Sequence, residues 1–352
     1  VYSAHEVVRG NSKARAVFNP GKLQLPAVSR LKEVSPDKAW DTSDPWKAHE
    51  LFGALKDGRP NLFIQIEAQK ETEKPPITKL SPLPFVVGVG SSGTTLLRAM
   101  LDKHPELYMA RESHFIVQTL RSQNKGQLDG QRFMSILTAA RNWGEFSHVE
   151  SELVEWVGTQ PGFNLGNGIR KLYELLAKKK GKARYGNKTP TLSMWMLSLQ
   201  NVLPEARFIH IIRDGRAVAN SMRRLQWGPG NNIEAQALHW IWNIREARQQ
   251  AQMLNHYLEV LYEDLLRNPE AELKRICDFI ELPFKEEMLR YSEGFQGRDP
   301  NHQLISPGPD VSRIADWQNK MSPDDIREYE SIAGLMLKEL GYDIFQHQSK
   351  PL

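Results

Sequence analysis

The sequence predicts an α/β fold, a P-loop-type parallel β-sheet flanked by helices. Three observations carry this. Short apolar runs are each followed at once by a helical pattern, the alternation that a helix-covered parallel sheet requires. A glycine-rich turn joins the first of these strands to its helix. The chain has 352 residues, 40% hydrophobic and 25% charged, which is enough for one large α/β core under an ordinary polar surface.

Residues 1–80 read as an N-terminal extension. Asp44-Pro45 followed by Trp46 to Leu55 predicts a short helix, and Asn61 to Ile66 a strand. Lys70-Glu71-Thr72-Glu73-Lys74-Pro75-Pro76 is a charged, proline-marked linker that places a boundary near residues 70–80. No chemistry attaches to this part. The main domain is expected over residues 81–345, with a tail at 346–352.

From Leu83 the signals sharpen. Phe85 to Val89, bounded by Pro84 and Gly90, predicts a buried strand. Thr94 to Lys103 has helical spacing, with Leu96, Leu97, Met100 and Leu101 on one face. Arg207 to Ile212 predicts a second strand, followed by a helix over Gly215 to Leu225. Leu258 to Leu261 predicts a third, followed by a helix from about Pro269 to Ile280. Ser322-Pro323-Asp324 makes a good N-cap, with Pro at the first helical position, for a last helix reaching Leu340.

Composition excludes several classes. The formal net charge of +4 suits an anionic small ligand and is too small to argue for nucleic acid. Cys277 is the one cysteine, so an intramolecular disulfide and a cysteine zinc site are both excluded, and a reducing, cytoplasmic setting is expected. No apolar run approaches the ~20 residues a membrane span needs, and the N-terminal VYSAHEVVRG does not look like a signal peptide. The first residue is Val1 rather than Met, as in a processed chain or a domain cut from a longer one.

The chemistry begins at Gly88-Val89-Gly90-Ser91-Ser92-Gly93-Thr94-Thr95, between a strand and a helix. Glycines let the backbone wrap an anion, so that Gly90, Ser91, Ser92 and Gly93 can turn N–H groups inward. The helix N-terminus adds partial positive charge, and Thr94 and Thr95 add hydroxyls. A nucleotide triphosphatase carries Lys where Thr94 stands, to neutralise the β- and γ-phosphates. Without it a nucleotide kinase is a poor reading, and a 5′-phosphate ligand without a triphosphate fits better. A second element runs from Ile212 through Arg213 and Asp214 to Ser221 and Met222. Arg213 leaves a strand at its C-terminal end, where open α/β sheets bind ligands, and Ser221 lies two turns along the next helix. An arginine and a hydroxyl so placed can grip a second phosphate. A surface Arg213–Asp214 ion pair explains the same residues equally well.

GVGSSGTTLLRAMLDKHPELYMARESHF and FIHIIRDGRAVANSM resemble the two motifs by which the sulfotransferase family binds 3′-phosphoadenosine-5′-phosphosulfate (PAPS). The likeness is greatest to the branch holding the tyrosylprotein sulfotransferases and many bacterial homologues, and runs from about residue 83 to 341. It implies the sulfotransferase fold and transfer of a sulfuryl group from PAPS to an acceptor hydroxyl or amine, in line and without a metal. Ser91 to Thr95 would hold the 5′-phosphosulfate, and Arg213 and Ser221 the 3′-phosphate. Tyr262, in LEVLYEDLLRNPE, would lie near the nucleotide, and Arg313 would belong to a late loop that closes over the 3′-phosphate.

The resemblance also places the catalytic groups. Glu112 would be the general base and take the acceptor proton. Lys188, in Asn187-Lys188-Thr189-Pro190, would stabilise charge on the bridging oxygen as the sulfuryl group leaves. By themselves Glu112 reads as a solvated carboxylate beside Arg111, and Lys188 as one more surface cation near Lys178, Lys179, Lys180, Lys182 and Arg184. His114 and His239 are alternative bases ranked below Glu112. Relatives usually carry Lys or Arg where Ser91 stands, so either Lys188 with the helix dipole supplies that charge, or Arg98 or Arg111 reaches in, or activity is weak or the donor geometry different. The competing readings are a degenerate PAPS-binding protein without catalysis and, lower, a P-loop nucleotide kinase. Secretory-pathway animal relatives carry disulfides and a membrane anchor, so the single cysteine points to a bacterial-type enzyme. The acceptor is left open between a hydroxyl-bearing small molecule, a lipid, a peptide and a carrier-bound group. Its pocket is expected from loops at 113–165 and 226–235, including a loop over Trp227 to Asn232 at its mouth.

Overall fold

The computed structural model describes residues 16–17, 63–64, 80–223, 229–292 and 309–345. They fall into two compact units. One holds Pro76–Arg213 and Glu246–Arg313; the other holds Val1–Pro75, Asp214–Arg245 and Ile314–Leu352.

The first unit is built on five parallel strands: β1 (Leu83–Gly88), β2 (Leu107–Ala110), β3 (Arg184–Lys188), β4 (Ala206–Ile212) and β5 (Tyr257–Leu261). Their order across the sheet is β2-β3-β1-β4-β5. The pattern of buried residues explains the order. β1 is buried at every position and β4 at all but one, as central strands of a covered sheet must be, whereas β5 at the edge is mostly half-buried. Phe85 of β1 stacks on Phe208 of β4 with ring centroids 5.8 Å apart. Helices α1 (Thr94–Asp102), α2 (Phe115–Asn124), α3 (Gly130–Thr138), α4 (Glu150–Gly158), α5 (Leu165–Lys179) and α6 (Met196–Val202) follow in the chain. Phe115 of α2 meets Phe133 of α3 and Phe146 edge-on at 6.4 and 6.3 Å, and all three rings are buried. Each such ring contributes roughly 2–3 kcal/mol by its removal from water.

Register fixes what stands at the C-terminal edge of the sheet. Val86 pairs with Lys188, Gly88 with Ile211, Ala110 with Asn187 and Ile212 with Leu261. The segments leaving that edge are therefore 89–93, 111–114, 189 onward, Arg213 and Tyr262. Two glycines allow the strands to approach. A Cβ on Gly88 would lie 2.5 Å from the Ile211 carbonyl oxygen, and one on Gly186 would lie 2.8 Å from that of Pro84.

In the second unit, α7 (Gly215–Met222) is capped by Asp214, whose Oδ1 accepts from the Arg216 N–H at 2.9 Å. The Arg216 guanidinium is buried between Asp214 and Glu330 and lies over the Trp317 ring at 4.0 Å. Trp317 is on α11 (Ser312–Lys320) and Glu330 on α12 (Pro323–Glu339). Asp214 thus pairs with Arg216 and is itself buried. The chain between these elements forms α8 (Ile233–Ala251), α9 (Tyr262–Arg267) and α10 (Pro269–Phe279).

The three strands read from the sequence are present, each shifted by one or two residues. β2 and β3 were not read: β2 is four residues long, and β3, Arg-Tyr-Gly-Asn-Lys, has no apolar run. The expectation of loops over 113–165 is corrected, because α2, α3 and α4 occupy most of that stretch. Of the strand expected near Asn61–Ile66, Phe63–Ile64 is present and pairs antiparallel with Ala16–Val17. The expected helix at 46–55, the linker, the tail and residues 224–228 lie outside the described residues. No described helix is long and apolar enough to cross a membrane.

Candidate active site

The turn after β1 has the geometry of an anion cradle. Ser91 adopts φ +66° and Gly93 φ +94°. The Ser92 N–H bonds the Val89 carbonyl at 3.2 Å, closing the turn. Gly93 stands at the N-cap of α1 and has no side chain to cap it, so the first N–H groups of that helix keep their capacity for an anion. Ser92 Oγ is buried and meets no hydrogen-bond partner among the described residues, a cost of roughly 1–3 kcal/mol that a bound anion would remove. No carboxylate lies between Gly88 and Thr95 to oppose one.

Next to the loop the structure gathers three more expected residues. Arg213 Nη1 donates to the Ser91 carbonyl and Nη2 to the Arg313 carbonyl, both at 3.1 Å. The Arg213 guanidinium lies over the Tyr262 ring at 4.5 Å. A Cβ on Gly93 would run into the same ring. Arg313 Nε faces Asp310 at 3.4 Å. Ser91, Gly93, Arg213, Tyr262 and Arg313 thus form one cluster of cationic and aromatic groups around the turn. Ser221 is on α7, in the other unit.

The catalytic candidates also meet. Lys188 Nζ donates to Glu112 Oε1 at 2.6 Å, and His114 Nε2 lies 3.2 Å from Oε2. Lys188 is no surface lysine: its side chain is 4% exposed, against 39% for Glu112. Partial burial pushes the Glu112 carboxyl up, but Lys188 and His114 outweigh it and hold it well below the usual carboxylate range. Burial pushes the Lys188 ammonium below the usual lysine value against the pull of Glu112, and Arg98 and Arg111 lower it further.

A buried polar frame aligns this pair, and sequence reasoning missed it. The Ser113 N–H donates to Thr189 Oγ1 at 2.8 Å, and Thr189 Oγ1 donates to Asn187 Oδ1 at 2.8 Å. Asn187 Nδ2 donates to the Arg111 carbonyl and to Ser113 Oγ, at 2.8 and 2.9 Å. Tyr173 of α5 donates to Ser113 Oγ at 2.8 Å, and Asn142 donates to the Glu112 carbonyl. The available signal was that Asn187 and Thr189 flank Lys188, polar residues where a strand interior should be apolar. Of the cations proposed to replace the one absent at Ser91, Arg98 donates to the Met109 carbonyl at 3.0 Å and faces Asp102, and Arg111 faces Glu145 at 3.5 Å.

The family model for the sulfotransferase family matches residues 82–286, more than half of the chain. The chain belongs to the sulfotransferase family. This sulfotransferase is 29% identical over 309 residues to protein-tyrosine sulfotransferase A of Caenorhabditis elegans, covering 82% of this chain and 74% of that one. It is 29% identical over 289 residues to human protein-tyrosine sulfotransferase 1, covering 74% of this chain and 70% of that one. In fold it is similar to the sulfotransferase domain from the curacin biosynthetic pathway (TM-score 0.57, 20% identity, covering 76% of this chain and all of that one). It is also similar to the sulfotransferase domain from the Synechococcus PCC 7002 olefin synthase (TM-score 0.51, 24% identity, 77% and 98% covered).

These findings correct one expectation. The cytoplasmic, bacterial-type setting inferred from a single cysteine does not hold, because the relatives are animal protein-tyrosine sulfotransferases, enzymes of the secretory pathway. A large, well-packed core needs no disulfide, so cysteine count does not report the compartment of such a chain. His239 belongs to the other unit, on α8, where burial pushes its imidazole down to about 4.

Proposed function

We propose that this sulfotransferase moves a sulfuryl group from PAPS to the phenolic hydroxyl of a tyrosine in a peptide or protein, with residues 81–345 as its catalytic domain. The observation that carries the reading is the buried Lys188 set 2.6 Å from the half-exposed Glu112, at the end of the strand next to β1. The relatives' names favour a peptide or protein acceptor over the wider range of alcohols, lipids and carrier-bound groups.

PAPS supplies an activated sulfuryl group and a leaving phosphate. The N–H groups and hydroxyls of Gly90 to Thr95 suit its 5′ end, and the orphaned Ser92 hydroxyl fits such a donor. Arg213 would take the 3′-phosphate, Tyr262 would stack near the nucleotide, and Arg313 would close over it. Glu112 Oε1 takes the acceptor proton as its oxygen attacks sulfur. Lys188 then stabilises the negative charge that grows on the departing oxygen. The two roles are coupled. As Lys188 shifts toward the departing oxygen, Glu112 loses the cation that holds it acidic and becomes a stronger base.

The test is calorimetric titration with 3′-phosphoadenosine-5′-phosphate (PAP) beside ADP, together with sulfation of a tyrosine peptide from PAPS. Tight binding of PAP, weak binding of ADP and a sulfated tyrosine are expected. Equal binding of the two nucleotides, or sulfation of a free alcohol but not the peptide, contradicts the reading.

A further inference from the structure

We propose that His114 is the positioning residue of the base: it holds Glu112 Oε2, so that Oε1 stays aimed at the acceptor while Lys188 moves to the departing oxygen. The inference rests on the reading of Glu112 as general base.

The two carboxylate oxygens have different partners. Oε1 takes Lys188 at 2.6 Å, and Oε2 faces His114 Nε2 at 3.2 Å. An ionised carboxylate only accepts hydrogen bonds, so the proton of that contact sits on Nε2. Lys188 has two demands on it, since the nearer it lies to the departing oxygen, the less it restrains Glu112. The terminal torsion of a glutamate is soft and roughly two-fold. Without a second anchor the carboxylate would turn as Lys188 leaves, and the attacking hydroxyl would lose its base. A misplacement of about 1 Å can cost ~100-fold in rate.

The mount of His114 is rigid. Ser113, one residue earlier, is tied by its N–H to Thr189 and by its hydroxyl to Tyr173 and Asn187. Helix α2 begins one residue later, at Phe115, whose ring is buried in the core. The imidazole itself is 35% exposed. Other charged groups nearby have partners of their own: Arg111 faces Glu145, and Arg98 faces Asp102.

The experiment compares His114→Ala, His114→Gln and Glu112→Ala on two acceptors, a tyrosine peptide and a phenol acidic enough to be ionised at the assay pH. The ionised phenol has no proton to give up and needs no base. His114→Ala should lower kcat on the peptide about 10- to 100-fold, the scale of one hydrogen bond to a charged group. It should leave PAP affinity unchanged within about 2-fold and spare the phenol. His114→Gln, whose amide N–H can replace Nε2–H, should recover most of the loss. Equal losses on both acceptors, or no recovery with Gln, would overturn the proposal, as would an unchanged rate for His114→Ala. Full activity of Glu112→Ala on the peptide would instead remove the reading beneath it.

Discussion

Two strands flank β1, and each delivers a cation at its C-terminal end: β3 carries Lys188, and β4 leads into Arg213. They are held in different ways. Two neutral carbonyls and the Tyr262 ring are among the partners that aim Arg213, while an anion aims Lys188. Neutral partners orient a guanidinium without cancelling its charge, which suits a group that must meet a phosphate as soon as it arrives. A carboxylate partner masks an ammonium until something competes for it, which suits a group needed only as charge develops. On the proposed mechanism, the donor side is set in advance and the catalytic side is held in reserve.

The largest effect is expected from Glu112→Gln. It removes the proton acceptor and leaves Lys188 buried without its anion, so kcat should fall roughly 100- to 10,000-fold. PAP affinity should hold or rise slightly, since Lys188 is released; a large loss of PAP affinity would mean that Glu112 shapes the donor site instead. Arg213→Ala should act on the other side. PAP should bind about 10- to 100-fold more weakly, with a much smaller change for the analogue lacking the 3′-phosphate. Equal losses for both nucleotides would assign Arg213 to the turn, through the Ser91 carbonyl, and not to the 3′-phosphate.

A third expectation concerns buried groups that are kept neutral. His210 of β4 is fully buried against Tyr257, with Nδ1 2.6 Å from its hydroxyl, and burial pushes it down to about 4. His239 is pushed to about the same value by burial alone. Both lie below the ordinary histidine value, so the unfolded chain binds more protons between about pH 6.5 and 4. Stability should therefore fall as pH drops through that window. Urea titrations of the wild type and of His210→Gln at pH 7.5 and 5 check this: the pH dependence should shrink in the variant, and an undiminished slope would show that other groups cause it. The smallest effect expected is at Ser91. Its φ of +66° costs a non-glycine residue about 1 kcal/mol, so Ser91→Gly should raise Tm by about 2 °C. A lower Tm would show that the Ser91 side chain stabilises the turn.

The legible parts of this sequence were those where local pattern and global role agree. β1 and β4 are apolar because they are central and covered, and the turn after β1 announced itself through Gly90 and Gly93. The strand that carries Lys188 was illegible for a physical reason. Arg184-Tyr185-Gly186-Asn187-Lys188 spends its buried positions on a polar frame and a buried cation, so periodicity had nothing apolar to register. The same holds for Ser113 and Tyr173, which meet across 60 residues of sequence. Glu112 and Lys188 were found through motif resemblance. Nothing in their own spacing brings together two side chains 76 residues apart, and the pairing of β2 with β3 does so in the fold. The cysteine count misled on compartment, since it does not bear on where a large, well-packed domain works.

In the proposed mechanism Glu112 and Lys188 form one catalytic pair for sulfuryl transfer. The most direct test is a double-mutant cycle on kcat for sulfation of a tyrosine peptide from PAPS, using Glu112→Gln, Lys188→Met and the double variant. A pair acting as one unit predicts that the double variant is about as slow as the slower single one, far from the product of the two losses. Losses that multiply in the double variant would show two residues acting independently, and would contradict the account.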